Sequence, residues 1–509
     1  MEYLLGVDVG STNLKAVLFN DDGEIVSKGS QPTELGHPDG SHPDWAVWEP
    51  DAIWGGVAAS IREAVSGVDA SCIRGVAVTG MGMDGLPVDR DGKWLYPFIS
   101  WHCPRTIPQQ EWWVKNIGAE RQFEIGGDQI WPFNTALRLR WMREHEPAIL
   151  DRAFKWVLIE DYINLMLCGE YATDYSMASN TLLFDLRTRA WSDELLSRSG
   201  VDRNLLCEPR PAGTVLGKVH ARAAEATGLA RGTPVVLGGH DYSCGCLPTG
   251  AFRPGALLDV LGTWEMVVTA LSEPVLTENV RKTGALVDAH VARDRWAVMG
   301  AAVAADMLEW FRQELGGEER RAAEAEGKVD WDLLISLAES SKPGSNGLFF
   351  LPHMSGSHCP VPDHLSAGSF AGLRNTHKRA DLFRAVIEGV NYQFLQILRA
   401  FQENVGIKAE QIVAIGGPTK NRFWMQNKAD VCGMVIQVPD LSEAVPLGAA
   451  LLAGIGAGVY RDETEAFERV WREGIRYEPD PGTTEEYEAH FQKFGRLYPA
   501  LRNFYHDQV

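Results

Sequence analysis

Cysteine is scarce in this chain, and long apolar runs are scarcer. Eight cysteines (Cys72, Cys103, Cys168, Cys207, Cys244, Cys246, Cys359 and Cys432) are scattered over 509 residues, with no C-x-x-C pair. That spacing argues against a disulfide scaffold and against a zinc site, and it points to reduced thiols in a cytoplasmic protein. The most apolar uncharged run, residues 444–460, contains Pro446, Gly448, Gly454, Gly456 and Gly458. It falls short of a membrane span and reads as a buried helix followed by turns. Positive charge is missing where a signal peptide needs it, since Glu2 stands in the would-be basic region. It is in deficit overall, with 48 Lys plus Arg against 68 Asp plus Glu and a net charge of −20. Nucleic acid and anionic membrane are therefore poor partners, and an anionic ligand needs a locally arranged pocket. A low-complexity linker and the G-x-x-x-x-G-K-[ST] phosphate loop are also lacking.

What is present is a large globular chain. Apolar residues at 45% and charged residues at 23% are near globular averages, and the length predicts two large domains. Residues 3–9 and 14–19 read as strands joined by the turn Gly10-Ser11-Thr12-Asn13, with a further short strand at Ile25 and Val26. About half a chain later, residues 257–261 and 266–270 repeat the unit around Gly262-Thr263, with Asp259 and Thr263 spaced like Asp8 and Thr12. A second echo pairs residues 235–239 with 413–417, each a short apolar strand running into Gly-Gly. Helices are predicted over residues 380–401, on a stripe from Leu382 to Phe401, and over 421–431. Strands alternating with helices make the class α/β with mixed sheets. The Pro248, Gly250, Pro254, Gly255 cluster places a boundary near residue 250, dividing the chain into residues 1–250 and 251–509.

Several loops carry residues suited to chemistry, each with a plain structural alternative. The small residues of Gly10-Ser11-Thr12 let backbone amides approach a phosphate, with Lys15 adding charge and Asp8 able to hold Mg²⁺ through water; an ordinary hairpin fits the same spacing. Gly262-Thr263 offers the same donors from the other half, and the two turns together would clamp a polyphosphate between domains. Asp241 follows a strand end, where it either takes a proton from an attacking hydroxyl or caps a helix starting at Tyr242. Gly416-Gly417-Pro418-Thr419-Lys420-Asn421 lets backbone approach an adenosine, or is a plain loop. Asp84, set among glycines, is open enough on this reading to bind sugar hydroxyls. Trp101, Trp131 and Arg105 add an aromatic wall and donors, or belong to the core and to a structural ion pair.

Taken in order, the motifs resemble one family. Asp8-Val9-Gly10-Ser11-Thr12, Trp101-x-Cys103-x-Arg105, Trp141-x-x-Glu144-His145-Glu146-Pro147, Thr173-Asp174-Tyr175-Ser176, Gly239-x-Asp241 and Leu261-Gly262-Thr263 come first. Phe350-Leu351-Pro352, Glu388-Gly389, Gly416-Gly417 and Pro446-Leu447-Gly448-Ala449-Ala450 complete the set, which runs to about Val459. It is similar to the FGGY carbohydrate kinases of the hexokinase–actin-like superfamily. The resemblance implies two actin/hexokinase-like (ribonuclease H-like) domains with a cleft between them. It implies ATP-dependent phosphorylation of a hydroxyl of a small sugar or polyol, first of all a pentulose such as xylulose, with ATP and Mg²⁺ as cofactors. Carried over by motif, Asp241 resembles the catalytic base, and Asp8 with Asp241 the metal side. Gly10, Ser11, Thr12, Lys15, Gly262 and Thr263 resemble the phosphate contacts, and Gly416, Gly417 and Asn421 the adenine side. Asp84, Trp101, Arg105 and Trp131 fall on the acceptor side together with Asp241. Asp84 is neither the His nor the Glu usual there, Cys103 replaces an Asp, and Pro418 stands where a third glycine is common. Gly262-Thr263-Trp264 resembles the L-xylulose kinases. Kinases of glycerol, erythritol or a hexulose remain alternatives, and a chaperone-like or regulatory ATPase is the alternative of another class. Oligomeric state stays open, a homodimer included.

Overall fold

A computed structural model describes residues 2–38, 40 and 42–507. Two mixed sheets organise it, and they share one pattern. In the first, a three-stranded antiparallel meander (Tyr3–Val9, Asn13–Asn20 and Ile25–Pro32) continues through Ile73–Gly80 and Pro234–His240, which run parallel to Tyr3–Val9. In the second, the meander is Ala256–Leu261, Trp264–Leu271 and Trp296–Val303, and the parallel extension is Gln411–Ile415 and Ile436–Val438. Each sheet ends on antiparallel strands, Val215–Lys218 in the first, and Leu286–Ala289 and Ile475–Tyr477 in the second. The echo read between the two hairpins is thus an echo of whole sheets. The third strand is longer than the sequence signal at Ile25 and Val26, because its outer positions are exposed and polar.

Burial follows from the residue pattern. The central parallel strands are apolar on both faces, as a sheet covered on both sides requires. The helix Arg379–Asn404 buries Phe383, Val386, Ile387, Val390, Phe394, Leu398 and Phe401, with Leu382 at the edge of the stripe. The helix Ala444–Gly456 is apolar all round, so both its faces are covered. It lies on the first sheet and against the helix Asp241–Thr249, although it comes from the far half of the chain. The approach is close: a Cβ on Gly6 would stand 1.8 Å from Pro446 O, so only glycine fits at that strand position. A core of Leu4, Phe19, Leu247, Leu447, Leu451 and Tyr460 consequently joins both halves. No helix among the described residues is long and apolar enough to cross a membrane.

Candidate active site

The carboxyl ends of the first sheet's parallel strands bring three loops together. Asp8 is the penultimate residue of the strand Tyr3–Val9 and pairs across the hairpin with Lys15. Thr33 braces the turn, its hydroxyl donating to Gly10 O at 2.7 Å and its amide to Thr12 O at 3.0 Å. Gly10 and Ser11 are half-buried, and Thr12 is exposed at the tip. Lys15 Nζ donates to Glu443 Oε2 at 3.2 Å, so this cation is shared with the start of the helix Ala444–Gly456. Desolvation at the strand end, and then the charge of Asp241, push the Asp8 carboxyl up to about 7.

Asp241 is the first residue of its helix, and His240 holds the N-cap position without a capping side-chain bond. The N-cap alternative for Asp241 is thereby corrected. Its Oδ1 accepts from the Tyr242 amide at 2.5 Å and lies 2.8 Å from His240 Nδ1. Its Oδ2 accepts nothing from the described residues, and the side chain is 38% exposed. Burial pulls the His240 ring down, but Asp241 beside it reverses the balance and leaves it above its ordinary value. The His240 amide donates to Ser176 Oγ at 2.9 Å, and Ser176 is held by Asp174. Gly82, at φ +89, is needed here: a Cβ would meet His240 Nε2 at 2.4 Å.

Asp84 is not open. It is fully buried, Arg138 Nη2 lies 2.7 Å from its Oδ1, and Trp48 Nε1 donates to its Oδ2 at 2.6 Å. The Trp101 amide donates to the same oxygen at 3.2 Å. The reason is the helix Thr135–His145, which brings Arg138 under the glycine loop as a counter-charge and ties Met83 O to Arg138 Nη1 at 2.6 Å. Arg105 is also turned inward, and its partners are neither an acceptor site nor the ion pair that the sequence suggests. Its Nε donates to Cys103 Sγ at 2.9 Å and its Nη1 to Tyr96 OH at 3.1 Å, between the rings of Trp45 and Trp141. One donor, Nη2, has no partner among the described residues. The two tryptophans do share a wall. Phe133, which the sequence reading missed, stacks on Trp131 with centroids 6.0 Å apart and meets Trp101 edge-on at 6.5 Å. Phe133 lies two residues beyond Trp131 in an irregular segment, so no periodicity marked it.

A second group of loops gathers on the other sheet. Gly262 and Thr263 turn the hairpin between Ala256–Leu261 and Trp264–Leu271, with Thr263 exposed. Their carbonyls accept the Ala305 amide at 3.2 Å and the Ala304 amide at 3.0 Å, so the helix Ala305–Glu314 begins against this turn. The sequence reading missed that helix start, because no Ser, Thr or Asn stands before it. Gly416 (φ +111) lies against the same hairpin, where a Cβ would meet Leu261 O at 2.0 Å. Gly417 is exposed with open space around it. Asn421 caps the helix Arg422–Cys432, its Oδ1 accepting the Trp424 amide at 3.0 Å, which leaves its amide group for a ligand. The structure thus gathers Asp8, the 10–12 turn, Lys15 and Asp241 at one sheet, and Gly262, Thr263 and Gly416 at the other.

No group of three or more His, Cys, Asp or Glu side chains among the described residues forms a metal cage. Asp8 and Asp241 nevertheless fit a divalent cation, since their mutual repulsion, which raises Asp8, is what such an ion relieves. Two carboxylates with open coordination suit Mg²⁺, which keeps much of its water and is completed by phosphate oxygens.

Two α/β sheets of one pattern, each with a carboxylate near a strand end, are the frame of this site. Residues 3–247 match the N-terminal domain, and residues 257–457 the C-terminal domain, of the FGGY family of carbohydrate kinases. The chain belongs to that family. It is 30% identical over 467 residues to the L-fuculokinase of Escherichia coli strain K12, covering 91% of this chain and 94% of that protein. It is 30% identical over 516 residues to the autoinducer-2 kinase of Yersinia enterocolitica, covering 100% and 95%. Among solved structures, the xylulose kinase from Rhodospirillum rubrum superposes with a TM-score of 0.89 at 28% identity, covering 99% of this chain and 100% of that one. ATP is the phosphate donor of this family.

Proposed function

We propose that the protein transfers the γ-phosphoryl group of ATP to a hydroxyl of a small ketose, with Asp241 as the general base. The observation that carries the reading is the free Oδ2 of Asp241, on the first turn of its helix and within electrostatic reach of Asp8. Asp241 Oδ2 takes the proton of the acceptor hydroxyl as its oxygen bonds to the γ-phosphorus. The bond to the bridging oxygen breaks and ADP leaves, so the residues contribute mainly position and charge. Gly10, Ser11, Thr12 and Lys15 line the phosphates from one side, and Gly262 and Thr263 from the other. Gly416, Gly417 and Asn421 take the adenosine, and Trp101, Phe133 and Trp131 wall the acceptor. Mg²⁺ held by Asp8 and Asp241 would neutralise charge on the phosphates. The division near residue 250 then assigns acceptor and first phosphate loop to one domain, and second phosphate loop and adenosine to the other.

Pentuloses such as xylulose are the first acceptors on this reading, supported by the likeness to xylulose kinases. Fuculose is the second, supported by the L-fuculokinase relatives. With Asp84 enclosed by Arg138, selection falls to the aromatic wall and to groups that move on binding. An ADP-release assay over xylulose, fuculose, glycerol and erythritol tests this. Release that rises with one ketose and not with the polyols is expected. Equal release with and without every acceptor would overturn the reading.

A further inference from the structure

The strand Leu286–Ala289 is the outer edge of the second sheet, and the first half of the chain closes on it at several points. The Val287 amide donates to Gly127 O at 2.9 Å, and the Ala289 amide to Ser179 Oγ at 3.0 Å. The Val291 amide donates to Ser243 Oγ at 3.0 Å. The fourth contact differs in kind, because the Tyr242 hydroxyl donates to Asp288 Oδ2. Tyr242 directly follows Asp241 and is 4% exposed, and Asp288 is wholly buried. Among the described residues the one other donor bonded to that carboxylate is Asn180 Nδ2, at a long 3.5 Å, and Asp288 Oδ1 has no partner. A buried carboxylate without donors is costly, so Asp288 depends on the tyrosine hydroxyl to remain where it is.

We propose that Tyr242 and Asp288 are positioning residues, which fix the Asp241 carboxylate from the far half of the chain. The proposal rests on Asp241 being the base. The helix start that bears Asp241 has no capping side chain. Tyr242 supplies the missing anchor: its ring is buried in one cluster with Leu258, Val268 and Val413 of the second sheet, and its hydroxyl is tied to the edge of that sheet. The same seam holds the acceptor wall. Asp128 follows Gly127, its Oδ2 accepts from Asn134 Nδ2 at 2.8 Å, and Asn134 Oδ1 in turn accepts the Trp131 amide at 2.6 Å. One edge strand is therefore tied both to the helix start that bears the base and to the segment that carries Trp131. Misplacement of a reacting group by about 1 Å can cost on the order of a hundredfold in rate, so a loosened anchor shows first in turnover.

The test compares Tyr242→Phe, Asp288→Ala, their double variant and Asp288→Asn in the full-length protein, with Asp241→Asn alongside. Turnover with xylulose or fuculose is the first readout, uncoupled ATP hydrolysis the second, and KM for ATP the third. Tyr242→Phe and Asp288→Ala should each lower kcat about tenfold or more with KM for ATP within about threefold, and the double variant should be no worse than the poorer single one. Asp288→Asn keeps an amide oxygen for the hydroxyl and should restore most of the loss, which also decides the matter if Asp288→Ala does not fold. Wild-type kcat in Tyr242→Phe, or losses that multiply in the double variant, would overturn the proposal. Retained turnover in Asp241→Asn would instead remove the base on which it rests.

Discussion

The two halves of the chain open on similar hairpins, each with an aspartate near the end of its first strand, and the two aspartates have opposite fates. Asp8 is half-buried near its strand end and close to Asp241, with its nearest cation shared with Glu443. Asp259 is sealed, its Oδ2 2.5 Å from Lys428 Nζ, and Glu265 binds the same ammonium, all three side chains being fully buried. Burial first, offset by Lys428, holds the Glu265 carboxyl above its ordinary range. The difference comes from the covering helix. Ala444–Gly456, lying on the first sheet, has no charged residue, so Asp8 receives no counter-charge from it. Arg422–Cys432 brings Lys428 to Asp259 and rests that ammonium over the Phe394 ring at 4.3 Å. Sequence spacing thus marks a carboxylate near a strand end, while the helix packed above decides whether it is chemistry or architecture.

The sharpest break of this comparison is at the active half. Asp241→Asn keeps the shape and the Oδ1 contacts but removes the proton acceptor, and turnover should fall about a hundredfold or more, the usual contribution of a general base. Nucleotide affinity should be unchanged by calorimetry. A variant that keeps a tenth of wild-type kcat, a loss of about 1.4 kcal/mol, would show that Asp241 is not the base.

At the architectural half the expected loss is in stability. Lys428→Met leaves Asp259 and Glu265 buried without their counter-ion, and breaking such a group costs on the order of 3–5 kcal/mol. The melting temperature of Lys428→Met should drop by several degrees, whereas that of Asp8→Asn should not drop at all. Equal melting temperatures for wild type and Lys428→Met would mean that the triad does not hold the second hairpin.

Between these lies Thr263, exposed at the tip of the architectural hairpin, with its backbone already fixed by the Ala304 amide. Thr263→Ala removes only the hydroxyl. It should slow phosphoryl transfer about tenfold while ADP binding changes less than threefold, because ADP lacks the group the hydroxyl meets. Equal losses in turnover and ADP affinity would assign Thr263 to the architecture, along with Asp259.

How far the sequence disclosed this arrangement follows from the range of the interactions. Both hairpins, the strands running into Gly-Gly and the helix at 422 were legible, because turns and apolar periodicity are local; Trp296–Val303 and Ile436–Val438, which complete the second sheet's pattern, were not read. The position of Asp241 was legible too, set by a strand running into Gly-Gly. Asp84 was misread because its partner Arg138 lies on a separate helix, and no local pattern announces a buried ion pair. Arg105 was misplaced for a related reason. Its cage uses Trp45 and Trp141, one from a loop before it and one from a helix after it. Phe133 and the Ala304–Ala305 helix start escaped because apolar and alanine residues carry no chemical signature outside their tertiary setting.

The smallest expected effect is a slope, and it separates the two aspartates once more. Asp8 titrates at about 7 in the folded protein against an ordinary carboxylate value near 3.8. A raised folded value means that the native state keeps the proton longer than the unfolded chain does. Stability present below about pH 4 is then lost as pH rises towards 7. Three units set an upper bound of about 4 kcal/mol, at about 1.36 kcal/mol per unit. Asp8→Asn cannot titrate, so urea denaturation of the metal-free protein from pH 4 to 7.5 should show a shallower decline than wild type. Adding Mg²⁺ at pH 7.5 should stabilise the wild type more than the variant. Parallel pH curves, with equal responses to Mg²⁺, would mean that Asp8 feels neither Asp241 nor the ion. The distinction from Asp259 would then rest on burial alone.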